Sequence, residues 1–139
     1  MKAIPYLFFK GTANEAMAAY AEIFKSPPPE VFSFRQIPAE DQAHMPGVQP
    51  DAVMHGALQV GDTWLYCSDD LTGEFIPMAG CSVSITLDSA PEAERVFKAL
   101  SEGGEVRMPM TEMFFSPAFG TLTDRFGTRW MIMADSEAG

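Results

Sequence analysis

Two residues of the sequence have side chains suited to proton transfer, His55 and Glu112. His55 stands in an alternating, strand-like run, and an imidazole titrates near neutral pH, so it could act as a general acid or base. Glu112 stands in the apolar stretch 108–115, where a desolvated carboxylate would have a raised pKa and suit a base. A structural histidine and a glutamate exposed on a loop are the alternatives. If the protein is an enzyme, His55 and Glu112 are the residues that we expect to be catalytic.

The apolar residues around Glu112 could line an adaptable binding pocket, because methionine side chains are flexible. Core packing or a dimer interface explains the same residues equally well. The large aromatic residues Tyr6, Phe8, Trp64 and Trp130 are expected in the core. The predicted pocket consists of Met108, Met110, Phe114, Phe115, Cys67 and Met131.

The two cysteines, Cys67 and Cys81, lie in apolar segments without C-x-x-C spacing. This predicts free thiols in a reducing compartment rather than a disulfide. Cys67 has no identifiable base that would make it a nucleophile. The sequence also lacks a Ser-His-Asp order, a phosphate-binding loop and zinc-ligand spacing.

Charge and hydropathy exclude two classes of partner. The formal net charge of −10 disfavours binding to the phosphate backbone of nucleic acids. No apolar run approaches the roughly 18 residues of a membrane span. The N-terminus lacks the long apolar stretch of a signal peptide, and we therefore expect a cytoplasmic protein.

The chain contains an internal repeat, which indicates how these residues are positioned. The segment from His55 through Gly56 and Trp64 to Asp69 resembles the segment 119–135. Aligning Trp64 with Trp130 requires a longer turn in the second copy. Thr12–Glu15 and Ser89–Glu92 both fit the capping box that begins a helix.

Each half reads strand, helix, then three strands. The apolar spacing after each capping box predicts amphipathic helices at about 13–25 and 91–102. Strands are predicted at 4–9, 31–37, 52–60 and 63–68, and at 82–87, 105–111, 117–123 and 129–134. The predicted fold is therefore α+β, with two βαβββ modules whose mixed sheets pair around a cavity. We predict a single domain over 1–139, with module 1 at about 1–70, module 2 at about 81–135, a linker at 71–80 and a polar loop at 38–51.

Three groups of motifs are distributed along the chain: Gly11–Ala16, Met54–Leu58 with Gly61-Asp62, and Gly103–Val106 with Thr123–Gly127. These motifs resemble those of PhnB-like proteins of the glyoxalase/bleomycin-resistance (vicinal oxygen chelate) superfamily. Together they cover nearly the whole chain. The resemblance implies the βαβββ fold, a homodimer and a small-molecule pocket. Members are often labelled 3-demethylubiquinone methyltransferase-like, but this sequence has no glycine-rich strand-to-helix turn for S-adenosylmethionine.

The resemblance also bears on the metal of the superfamily. Metal-using members place a glutamate near the middle of the last strand of a module and a histidine or glutamine in the first strand. The corresponding last-strand residues here are Leu65 and Met131, and the first strands offer Tyr6 at best. A transition metal needs three or four converging N, O or S ligands. We therefore expect no metal and no cofactor.

These observations favour a metal-free, small-molecule-binding protein of the PhnB-like type. A lyase, isomerase or dioxygenase that uses His55 and Glu112, with or without a divalent metal, is one alternative. A resistance protein that sequesters a drug is the other, and the net charge of −10 is compatible with a cationic ligand.

Overall fold

The first βαβββ unit follows from the sequence pattern, in which strand-like segments are separated after the first strand by an amphipathic helix. In the computed structural model, which describes residues 1–135, this unit spans Met1–Ile76. Its elements are β1 (Tyr6–Phe9), α1 (Ala13–Ile23), β2 (Glu30–Ser33), a 3-10 turn (Phe34–Gln36), α2 (Ala39–Gln42), β3 (Val53–Val60) and β4 (Thr63–Asp69).

The second unit begins at Pro77 and again consists of a strand, a helix and three strands. Its elements are β5 (Val83–Leu87), α3 (Ala90–Ser101), β6 (Glu105–Met113), β7 (Ser116–Thr123) and β8 (Arg129–Ala134). The boundary between the units falls inside the predicted linker.

The two four-stranded sheets have the same topology. The strand order is β1-β4-β3-β2 in the first and β5-β8-β7-β6 in the second. In each sheet the first strand runs parallel to the last, and the other pairings are antiparallel. Two mixed sheets, each with its own helix, confirm the predicted pair of βαβββ modules.

Each helix packs on one face of its own sheet. Met17 of α1 and Cys67 of β4 lie on the same side as Gly56, where an added Cβ would stand 2.8 Å from the Cys67 sulfur. Gly120 plays the same part in the second unit, because a Cβ there would stand 2.6 Å from the Phe97 ring of α3. The glycines allow each helix to approach its sheet closely, and the other face of each sheet is free of its helix.

The alignment of the two tryptophans is wrong by one residue. Trp130 pairs with Leu122 across β7 and β8, but the residue that pairs with the equivalent Leu58 is Leu65. Accordingly, Trp130 is fully buried on the helix side, whereas Trp64 lies on the opposite face of its sheet, in register with Gln59. The repeat therefore rests on the strand order and on Gly56 and Gly120, not on the tryptophans.

Two local predictions are also corrected. The predicted strand 31–37 ends at Ser33 and continues as the 3-10 turn, and the polar loop that follows contains α2. Thr12 makes no side-chain cap bond at the start of α1, whereas the Ser89 hydroxyl accepts a hydrogen bond from the Glu92 amide as predicted. None of the helices among residues 1–135 has the length and apolar character to cross a membrane.

Candidate functional site

The face of the first sheet that points away from α1 carries a group of aromatic side chains. Side chains alternate along β1, so Leu7 and Phe9 are buried whereas Tyr6 and Phe8 are 41% and 59% exposed. This corrects the expectation that Tyr6 and Phe8 belong to the core. We call the group the aromatic face, and its members are Tyr6, Phe8, His55, Trp64 and Tyr66.

Strand register brings these rings together. Tyr6 lies opposite Tyr66 in the parallel pairing of β1 with β4, and the two rings meet edge to face with centroids 6.4 Å apart. The His55 ring stands 5.0 Å from Tyr66 at 71° and 5.8 Å from Tyr6. Such pairs contribute about 0.5–1.5 kcal/mol each beyond their buried area. The aromatic face is therefore a preformed platform on which a flat apolar group could stack.

His55 also has a polar partner on this face. The Tyr6 hydroxyl lies 3.3 Å from His55 Nδ1, which is long for a hydrogen bond between oxygen and nitrogen. When the Tyr6 hydroxyl donates, the proton of a neutral imidazole is on Nε2. A phenol and an imidazole side by side can orient a polar group of a ligand or exchange a proton with it.

A cleft of about 440 Å³ adjoins the aromatic face and shares Phe8 with it. Phe8, Leu71 and Ile76 form its apolar walls. The polar residues that line it are Ser68, Asp69, Asp70, Thr72 and Glu74. The cleft thus combines apolar side chains with the acidic residues Asp69, Asp70 and Glu74.

Asp69 joins three elements beside this cleft. Its Oδ1 accepts a hydrogen bond of 2.9 Å from the Ala13 amide, and its Oδ2 accepts one of 2.9 Å from the Val53 amide. The side chain is buried, and a buried amide left without an acceptor is costly. Asp69 of β4 therefore does the capping at the start of α1 that the sequence assigned to Thr12.

Asp70 has a different role, because its carboxylate is not tied to a helix or strand. Its Oδ1 accepts hydrogen bonds from the Thr72 hydroxyl at 2.6 Å and from the Thr72 amide at 2.8 Å. These bonds, the side-chain bond first, hold the pKa of Asp70 below its ordinary value. Asp70 consequently keeps its negative charge to a lower pH than an ordinary aspartate does.

Most of the predicted pocket residues lie in the second unit. Met108 of β6 is in register with Thr121, which is in register with Met131, so the two methionines share the sheet face opposite α3. Glu112 is exposed on β6, an edge strand, and this setting does not provide the desolvation that a buried base requires. The other predicted pocket residues of this unit are Met110, which is half-buried, and Phe114 and Phe115, which lie in the β6–β7 turn.

Cys67 is separated from the aromatic face by the sheet itself. It is completely buried on the side that packs against α1. Burial, and secondarily the charge of Asp69, raises the pKa of its thiol to about 12. The structure therefore places Cys67 in the core and not beside His55.

The metal position in the first module also needs a correction. Leu65 is buried on the α1 side, and the open-face position is Tyr66, opposite Tyr6. The equivalent pair in the second unit is Met131 opposite Ser84. Phenol, thioether and hydroxyl groups are a poor ligand set for a divalent transition metal, so these residues do not fit the superfamily metal. Within residues 1–135, no three His, Cys, Asp or Glu side chains are grouped so as to hold a metal ion.

Comparison with known proteins identifies the family. The model of the family described as 3-demethylubiquinone-9 3-methyltransferase matches residues 1–133. Protein YjdN from Escherichia coli K12 is 30% identical over 134 residues, which is 92% of this chain and 91% of that protein.

Solved structures agree with this assignment. Protein PA1353 from Pseudomonas aeruginosa is 36% identical, with a TM-score of 0.87 over 97% of this chain and 98% of that chain. A PhnB protein from Bacillus cereus is 27% identical, with a TM-score of 0.75 over 96% and 99%. The fold alone is shared with a glyoxylase/bleomycin resistance protein/dioxygenase domain from Frankia sp. EAN1pec, at 12% identity and a TM-score of 0.65 over 100% and 94%.

Proposed function

Since this chain belongs to the PhnB-like family described as 3-demethylubiquinone-9 3-methyltransferase, with the glyoxalase/bleomycin-resistance fold, we propose that it is a small-molecule-binding protein that works without the superfamily metal. Its ligand stacks on the aromatic face of the first unit. The observation that carries this proposal is the set of ring contacts that joins Tyr6, His55 and Tyr66 on the exposed side of the sheet.

A binding role explains why these side chains are on the surface. An exposed aromatic cluster is unfavourable in water unless something covers it, and aromatic residues with a polar tip are typical of ligand sites. Tyr6, His55 and Tyr66 offer apolar ring surface together with hydroxyl and imidazole groups.

The methyltransferase description of the family does not suit the fold of this chain. The turn between β1 and α1 contains one glycine, Gly11, and both sheets are mixed. The dinucleotide-type site that holds a cofactor at a glycine-rich turn needs a parallel, doubly wound sheet. We therefore include no methyl transfer in the proposed function.

An enzymatic function is the second candidate, and the contact between the Tyr6 hydroxyl and His55 Nδ1 favours it. In this alternative, a lyase, isomerase or dioxygenase, His55 exchanges a proton with the ligand and Tyr6 sets its tautomer. Glu112, the other residue of this alternative, lies exposed on the edge strand β6 of the second unit.

We further propose that the protein is a homodimer. Phe114, at the tip of the β6–β7 hairpin, is 99% exposed, and Val106 and Met108 on the same edge strand are 44% and 41% exposed. A second copy of the chain is the simplest cover for such an apolar edge. A mass near twice 15.2 kDa by light scattering is expected, and a monomer at micromolar concentration would contradict the dimer.

The binding proposal is tested with the neutral dye Nile red. Wild type is expected to bind the dye, and Tyr66→Ala is expected to lose about two- to tenfold in affinity, because one stacking partner is removed. Phe126→Ala, which removes a half-buried ring from the β7–β8 turn, is the control and should bind as wild type does. Equal affinities for all three proteins would contradict the proposed surface.

The metal-free part of the proposal is tested by elemental analysis of protein purified without chelator. We expect substoichiometric Zn, Ni, Fe and Mn. About one equivalent of any of them, lost in His55→Ala, would overturn this part and favour the enzyme.

A further inference from the structure

The cleft beside the aromatic face has a chemical character of its own. Its walls are Phe8, Leu71 and Ile76, and two of these are unusually exposed, with Phe8 at 59% and Ile76 at 81%. Its volume of about 440 Å³ lies within the range of small-molecule sites. The cleft is therefore large enough for part of an organic ligand, and its walls are apolar enough to favour one.

The charges around these walls have a single sign. Asp69, Asp70 and Glu74 line the cleft, and none of its described lining residues is basic. The carboxylate of Asp69 is occupied by two backbone amides. Asp70 is half-buried and Glu74 is exposed, so the charges of both side chains can act on a bound group.

The aromatic face continues into the cleft through Phe8, whose ring lies 5.2 Å from Tyr6. A ligand that stacks on Tyr6 and Tyr66 can thus extend past Phe8 towards the carboxylates. The faces of aromatic rings also attract cations, by about 0.5–1 kcal/mol at exposed sites. The aromatic rings and the carboxylates therefore both favour a positively charged group on the ligand.

From this arrangement we infer that the ligand is an organic cation with a flat apolar body. The body stacks on the aromatic face, and the cationic group lies in the cleft near Asp70 and Glu74. The inference rests on the proposed binding function and adds to it the chemical class of the ligand. A small metal cation is not meant, because the walls of the cleft are apolar.

Three naphthalene probes of similar shape test this inference by calorimetry at low salt. They are naphthylmethyl-trimethylammonium, neutral naphthalenemethanol and anionic naphthoate. The cation is expected to bind about three- to tenfold more tightly than the neutral probe, and the anion more weakly than either. The preference should shrink at 0.5 M salt, where exposed charges are screened.

A charge-neutral variant and a matched control locate the effect. The double variant Asp70→Asn/Glu74→Gln keeps the shape of the cleft and should bind the cation and the neutral probe with nearly equal affinity. The control Glu22→Gln/Asp62→Asn removes the same charge from α1 and from the β3–β4 turn, and it should keep the wild-type preference. Circular dichroism checks that both variants are folded.

The outcomes separate this inference from the function on which it rests. Equal affinity of the wild type for cation and neutral probe, or a preference that survives in the Asp70/Glu74 variant, would overturn the cation assignment and leave the binding surface standing. Loss of preference in the control would also overturn it, since net charge alone would then be the cause. Failure of every probe to bind would overturn both.

Discussion

Replacement of Asp69 by alanine is expected to be among the most destabilising changes in the first unit. The buried carboxylate accepts hydrogen bonds from the amides of Ala13 and Val53, each at 2.9 Å. A hydrogen bond to a charged group is worth about 1.5–3 kcal/mol. Asp69→Ala should therefore lower the free energy of unfolding by about 3–6 kcal/mol. Asp69→Asn keeps one oxygen acceptor but places its NH₂ group against the second backbone N–H. It should therefore lower the free energy of unfolding by at least about half as much as Asp69→Ala does.

Thr12→Ala is the matched comparison, because Thr12 is the residue that the sequence predicts as the cap of α1. The loss of a functional cap costs about 1 kcal/mol, but Thr12 makes no side-chain cap bond. Its replacement should therefore change the stability by less than about 0.5 kcal/mol. Urea unfolding followed by far-ultraviolet circular dichroism measures both effects. A loss below about 1 kcal/mol for Asp69→Ala, or a loss for Thr12→Ala that equals it, would refute the reasoning.

Three further predictions concern neighbouring parts of the structure. With Ellman's reagent at pH 8, the exposed Cys81 should react in the folded protein. Cys67 should react only after unfolding, because its thiol is buried and has a pKa of about 12. One fast-reacting thiol per chain is expected, and two would contradict the burial of Cys67. Gly56→Ala should cost about 1–3 kcal/mol in urea unfolding, because its Cβ would stand 2.8 Å from the Cys67 sulfur, and this cost should largely disappear in a Cys67→Ala background. The part of the cation preference that Asp70→Asn removes should persist down to pH 3.8, the ordinary pKa of an aspartate, because the pKa of Asp70 lies below that value. Its loss between pH 5 and pH 3.8 in the folded protein would contradict this.

The sequence predicts the fold well because the fold depends on periodicities that are local. The helical spacing after Thr12 and Ser89 predicts α1 and α3 to within about two residues. The repeat predicts the two βαβββ modules, whereas the strand order within each sheet comes from the structure. The alignment of Trp64 with Trp130 fails because a one-residue difference in turn length moves a strand side chain to the other face of the sheet, and the sequence does not reveal which residues pair.

The candidate site is only partly predictable for the same reason. His55 is found from its residue type, and the structure places it on the exposed face of the sheet. Tyr6 and Phe8 are misassigned to the core because an aromatic residue in a strand can face either the helix or solvent. Their alternation with the buried Leu7 and Phe9 is the available signal, but it does not indicate which set faces α1. Tyr66 is missed because only the strand register places it opposite Tyr6.

The cleft could not be foreseen from motifs. Asp69 and Asp70 are adjacent in sequence, yet one is bonded to the amides of Ala13 and Val53 and the other to Thr72. The contacts of Asp69 are long-range, so they follow from the folded chain and not from residue spacing. The same limit applies to Glu112, whose apolar neighbours predict desolvation although it is exposed on an edge strand.

The binding role of the aromatic face is tested most directly by nuclear magnetic resonance. Naphthalenemethanol is titrated into the protein while the aromatic carbon–proton correlations are recorded. The account predicts saturable shifts for Tyr6, His55, Trp64 and Tyr66, with the buried Trp130 unaffected as an internal reference. A saturable titration that leaves the signals of the aromatic face unchanged would contradict the account.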